Sequence, residues 1–154
     1  MFLRAIKLVL KEETKFDLYF NDGTVKRYDV SILFNKYPQI KPLSNRKLFL
    51  KGKLFGWGGI VWTDEIDLPT EFIHDEGEDV SDQYNDIGQV VFGESVNYKR
   101  LSLGLTQEEL ANKIGIDQSD LSKIEKGIAN PSIKMMSRIA KGLGCSIDYS
   151  KLLK

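Results

Sequence analysis

The chain predicts two domains of different class, an α+β N-terminal domain built on a small antiparallel sheet with short helices, followed by an all-α domain. Three observations carry this. Apolar residues alternate or run at strand length over Leu3–Leu10, Phe16–Phe20 and Val25–Val30, and Asp22-Gly23 between the last two is a hairpin signal. From Leu110 onward the apolar residues instead recur three and four apart, the period of a helix face. Charge is also divided along the chain. Residues 1–63 hold 12 Lys/Arg and 5 Asp/Glu, residues 64–98 hold 11 Asp/Glu and no Lys/Arg, and residues 99–154 hold 10 Lys/Arg and 6 Asp/Glu.

In the first part, the strands end at Val30, and Ser31–Lys36 is expected as a short helix that stops before Tyr37-Pro38. Asn45–Leu50 is a second short helix. Lys53–Trp57 and Gly59–Trp62 then bracket a glycine turn, with Phe55 and Trp57 on one strand face and Ile60 and Trp62 on another. The run Asp75–Asp82 has the composition of a solvated linker, which places the first domain at residues 1–80, an acidic and then apolar connector at 81–93, and the helical domain at 94–154. Ile87–Phe92 within the connector is apolar enough to pack against something.

Glu94–Leu103 is expected as the first helix of the second domain. Thr106 and Glu109 form the capping box of the next, whose Leu110, Ala111 and Ile114 share a face. Gly115 sits where that helix must stop and Asp117 caps another, with Leu121 and Ile124 inward and Gln118, Ser119, Ser122 and Lys123 outward. A further helix over Ser132–Leu143 places Ile133, Met136, Ile139, Ala140 and Leu143 in the core. Cys145, the only cysteine, is expected as a core residue. With Ile147, Tyr149, Leu152 and Leu153 it forms a last apolar set that either closes the monomer or contributes to a homodimer.

The run Thr106–Ala111 with Gly115–Gly127, continued by Asn130-Pro131-Ser132 and Ile139–Gly144, resembles the Cro/repressor-type helix-turn-helix family over roughly residues 94–153. The resemblance implies a five-helix repressor-like domain that binds double-stranded DNA with the helix Asp117–Lys126 in the major groove. Gln118, Ser119, Ser122 and Lys123 would then contact bases, and Gln107, Lys126, Asn130 and Lys134 phosphates. A glutamine amide matches adenine N6 and N7 together, a pairing worth about 1–3 kcal/mol of discrimination. Asp120 is repelled by phosphate but favoured near a helix N-terminus. Arg100 and Glu125 are implied to form a structural ion pair. More loosely, Asp22-Gly23-Thr24, Asp29, Leu43, Leu48-Phe49, Gly59–Trp62 and Asp67-Leu68 resemble the DUF2442-type domain, a bacterial family of unknown function that carries no catalytic assignment. It implies an antitoxin-like companion domain for a protein partner or effector, and a reading in which partner binding comes first and DNA second.

Composition bounds the rest. With 42% hydrophobic and 29% charged residues the chain is a globular protein, and no apolar run approaches the roughly 20 residues of a membrane span. The start, Met1-Phe2-Leu3-Arg4, lacks a signal peptide's organisation, so a cytoplasmic protein without membrane partners is expected. His74, the only histidine, has no serine or cysteine placed as its nucleophile. Neither Asp64, Glu65 and Asp67 nor the His74–Asp79 acids show the loop spacing of a metal site. Gly56–Gly59 lacks the lysine and following helix of a phosphate loop. The expectation is a binding protein, not an enzyme, with no cofactor and no metal.

Overall fold

The computed structural model describes residues 2–56 and 58–148 and divides into two compact units, residues 1–87 and 88–154. The first holds β1 (Ala5–Leu10), β2 (Lys15–Phe20), β3 (Val25–Asp29), α1 (Arg46–Phe49), β4 (Lys53–Phe55), β5 (Gly59–Thr63), β6 (Ile66–Leu68), α2 (Glu71–Glu76) and β7 (Glu78–Asp79). The strands form two antiparallel sheets, ordered β1-β2-β3-β7 and β4-β5-β6. The second unit holds α3 (Ile87–Ser102), α4 (Gln107–Ile114), α5 (Gln118–Glu125) and α6 (Ile133–Gly142). Among the described residues no helix is long and apolar enough to cross a membrane.

β2 is buried on both faces. Its alternation puts Phe16, Leu18 and Phe20 into a core with Leu43, Phe49, Ile60 and Ile73, while Asp17 and Tyr19 point the other way. A buried carboxylate must be paired, and Asp17 accepts from the Arg27 Nε and guanidinium nitrogens, each at 2.8 Å, and from the Tyr84 hydroxyl. The Tyr19 hydroxyl donates to Asp86 at 2.7 Å, and Lys7 reaches the same carboxylate at 2.8 Å. The outer face of the strand is thus closed by residues 83–86 of the same unit.

Several expectations need correction. Asp75–Asp82 is not a solvated linker: α2 runs into it, Glu78 and Asp79 pair with Arg27 and Lys26 as β7, and Val80 is fully buried. The exposed edge of β3 needs backbone partners, and a short acidic strand beside two cations supplies them. Ser31–Lys36 is a 3-10 turn at Val30–Leu33, whereas the second short helix shrinks to α1 with Asn45 as its cap. Gly56–Gly59 is the β4–β5 hairpin, and Trp57 lies outside the described residues.

In the second unit α3 begins at Ile87, not Glu94, because Val90, Gly93, Val96 and Arg100 make one continuous buried stripe. Gly93 allows α3 to touch α5, since a Cβ there would lie 2.0 Å from the Ile124 carbonyl oxygen. Ile139, Ala140 and Leu143 are buried as expected, but Met136 is only half buried and Ile133 is 69% exposed. Ile133 opens α6 at its free end, short of the region near Gly142 where the helix meets Ile114. Cys145 is exposed, not core, since it follows the helix in an irregular segment. The described residues hold four helices of this unit; 143–148 adds none, and Tyr149, Leu152 and Leu153 lie outside them.

His74 ties α2 to the β2–β3 hairpin. Its Nε2 lies 2.8 Å from Asp22, its Nδ1 lies 3.3 Å from Asp75, and its ring meets Phe20 edge-on. Burial alone would lower its basicity, but the two carboxylates prevail and hold the imidazolium above its ordinary value of 6.5. A raised folded pKa gives stability that is complete below 6.5 and lost as pH rises through the folded value. The first unit should therefore melt higher at pH 6 than at pH 8, and His74→Phe should reduce that difference. Equal pH dependence of melting in the two proteins would refute the pairing.

Candidate nucleic-acid interface

α4 starts sharply because both halves of its capping box form. Glu109 N–H donates to the Thr106 hydroxyl at 3.1 Å and Thr106 N–H to the Glu109 carboxylate at 3.0 Å. It ends at Gly115, whose φ of 73° is left-handed, and Ile116 N–H then closes back on the Ala111 carbonyl at 3.0 Å. That turn redirects the chain into α5. Asp117 takes the extended backbone of a cap but makes no side-chain capping bond, so the first turn of α5 keeps backbone N–H groups available to an anion.

Leu121 and Ile124 hold α5 to the core, leaving Gln118, Ser119 and Lys123 exposed and Ser122 half buried. Lys126 ends the helix, while Asn130 and Lys134 flank the start of α6; all three are exposed. These residues therefore border one helical motif. Lys123 also lies 3.9 Å from Asp120, an exposed pair that is weak in water and leaves the ammonium available to another anion.

Beneath that surface lies a buried carboxylate. Glu125 accepts from Arg100 Nε at 2.6 Å and from a second guanidinium nitrogen at 3.0 Å, and from Asn97 and Gln107 at 2.9 Å each. Arg100 also donates to the Leu105 carbonyl at 2.7 Å. Donors from α3 and α4 thus converge on α5. Gln107 is half buried, and its amide oxygen accepts from Gln118 Nε2 at 3.1 Å. One hydrogen of the Gln118 amide is committed there, and its carbonyl oxygen and second N–H remain to face a ligand as an acceptor and donor side by side.

Sequence reasoning had no role for Asn97 and none for Gln107 as a bridge. Asn97 stands three residues before Arg100, so both lie on one face of α3, a spacing that would have signalled a shared target. Gln107 gave no such signal, because its partners come from a helix that only folding brings near.

Burial alone would raise the Glu125 carboxyl, but hydrogen bonds from Arg100, Asn97 and Gln107 outweigh it and hold the group below its ordinary 4.5. Such a depressed value gives stability that is complete above pH 4.5 and lost as pH falls through the folded value. Glu125→Gln should flatten the acid limb of the second unit's melting curve. Glu125→Ala should destabilise that unit by about 3–5 kcal/mol, because the Arg100 cation stays buried and unpaired. An unchanged melting temperature in Glu125→Ala would contradict both.

Comparison with known proteins places this motif in a family. The helix-turn-helix family model matches residues 96–150. An uncharacterized HTH-type transcriptional regulator of Methanocaldococcus jannaschii is 42% identical over 53 residues, 34% of this chain and 80% of that protein. One of Methanothermobacter thermautotrophicus is 47% identical over 45 residues, 29% of this chain and 65% of that protein. A restriction-modification controller protein, solved as a tetramer on its 35-base-pair operator, is 36% identical with a TM-score of 0.37, covering 38% of this chain and 76% of that one. Through its C-terminal unit, the chain belongs to the helix-turn-helix family.

Proposed function

We propose that this protein is a sequence-specific DNA-binding transcriptional regulator that reads an operator in the major groove with the N-terminal end of α5. One observation carries the reading furthest: the exposed Gln118 amide is oriented by Gln107, with an acceptor and a donor left free. That pair matches the adenine edge in a groove wide enough for one helix. Ser119, Ser122 and Lys123 contact bases beside it, and Lys126, Asn130 and Lys134 contact phosphates. Family membership and the regulators it resembles support DNA as the ligand.

In this reading two copies bind a palindrome, their α5 helices about 34 Å apart, one turn of DNA. The N-terminal unit, whose scattered DUF2442-like residues led to an antitoxin-like expectation, is the site for a protein partner or effector. The protein acts in the cytoplasm, where its DNA lies, and no catalytic step is assigned to it.

Selection from a random duplex pool should enrich one motif containing adenine, and failure to enrich any sequence at low salt would overturn the reading. Against the enriched site, Gln118→Ala should lose about 1–3 kcal/mol of preference at a single base pair. Lys126→Ala should weaken every sequence alike and reduce the salt dependence by about one phosphate contact. Binding titrations on matched and mismatched duplexes at two salt concentrations separate these outcomes.

A further inference from the structure

From Val30 to Thr63 the chain has no Asp or Glu, yet it carries Lys36, Lys41, Arg46, Lys47, Lys51 and Lys53, all exposed. Those from Lys41 to Lys53 follow one another through short connected elements. Lys41 lies in the 3-10 segment Pro38–Ser44, which leads through Asn45 directly into α1. Arg46 and Lys47 open α1, Lys51 follows in its closing turn, and Lys53 begins β4. Lys47 lies in α1 and Lys51 two residues past its end, its N–H closing on the Leu48 carbonyl at 3.0 Å. Leu50 and Phe55, 51% and 74% exposed, are interleaved with the cations.

The opposite charge is gathered in a later stretch of the sequence. Residues 64–86 supply ten acids and no Lys or Arg, so a unit with 12 Lys/Arg and 15 Asp/Glu divides its charge sharply along the sequence. Lys36 lines a cleft with Asp67 and Glu76, and Lys53 and Asp67 flank Val61 in one sheet, so the stretch least mixed with acids is the one from Lys41 to Lys51, where exposed cations supply the local attraction to a polyanion.

We propose that this face is a second DNA-binding surface, one that holds the phosphate backbone without reading sequence. The inference rests on the DNA-binding reading of the helix-turn-helix unit, to which this face is covalently tethered and which raises its effective concentration near the duplex. The chemistry fits backbone contact rather than base readout. Five of the six cations are lysines, mobile point charges suited to phosphate; the guanidinium of the sixth, Arg46, donates to the Glu13 carbonyl at 2.6 Å, and Asn45, the neighbouring amide, is spent accepting from Leu48 N–H at 3.2 Å as the cap of α1.

The test uses the full chain and its variant Lys41→Gln/Lys47→Gln/Lys51→Gln on the enriched duplex, with binding measured from low to physiological salt. These side chains are exposed, and the pair Lys47→Gln/Lys51→Gln serves as a milder version if the triple variant melts early. Each lost phosphate contact removes about 0.9 from the slope of log affinity against log salt, so the triple variant should lose about 2.7 and the pair about 1.8, with base preference unchanged. An unchanged slope beside normal wild-type binding overturns this proposal alone and leaves the face to an acidic protein partner. No binding by the wild type at any salt overturns it together with the reading on which it rests.

Discussion

A carboxylate kept in the interior is tolerated only when its surroundings supply the hydrogen bonds that water would have made, and Glu125 sets that condition on three helices at once. Arg100 and Asn97 must come from α3, and Gln107 from the start of α4, at distances between 2.6 and 3.0 Å. The donors cannot drift independently, because losing any one exposes a buried charge. This constraint governs how α3, α4 and α5 cross, and it explains why α3 needs a glycine where it presses on the end of α5.

The constraint also extends to the surface. Gln107 shares its amide between the buried carboxylate and Gln118, so the exposed Gln118 side chain is held from the interior rather than left to sample rotamers. A side chain ordered before its ligand arrives loses less entropy on binding, which is where a preorganised interface gains affinity and selectivity. The N-terminal unit uses the same device for another end. Asp17, fully buried in β2, is met by Arg27 and Tyr84, and the paired Asp86 brings the chain just before α3 against the sheet. Among the described residues, each unit thus hides one carboxylate against one arginine.

Much of this was legible without coordinates, for local reasons. A capping box, a left-handed glycine and a three-residue hairpin loop depend on dihedral preferences and on hydrogen bonds spanning three or four residues, so Thr106, Glu109, Gly115 and Asp22-Gly23 announce themselves. The failures share the opposite property. Asp75–Asp82 is polar and acidic like a linker, yet an unpaired strand edge beside Lys26 and Arg27 recruits it into a sheet. Ile133 and Cys145 are apolar in a helical rhythm, but their positions at and beyond the helix ends put them outside the packed region.

What the amino-acid order determined by itself is therefore the succession of strands and helices, the helix-turn-helix motif and the exposed polar face of α5, since each follows from propensity, periodicity and capping over a few residues. Only the tertiary structure decided that α3 reaches back to Ile87, that residues 78–79 complete a sheet, and that Gln118 is tethered through Gln107 to a buried ion pair. Those outcomes rest on unsatisfied backbone edges, close backbone approach at Gly93 and a charge removed from water, and such demands arise only when distant segments meet.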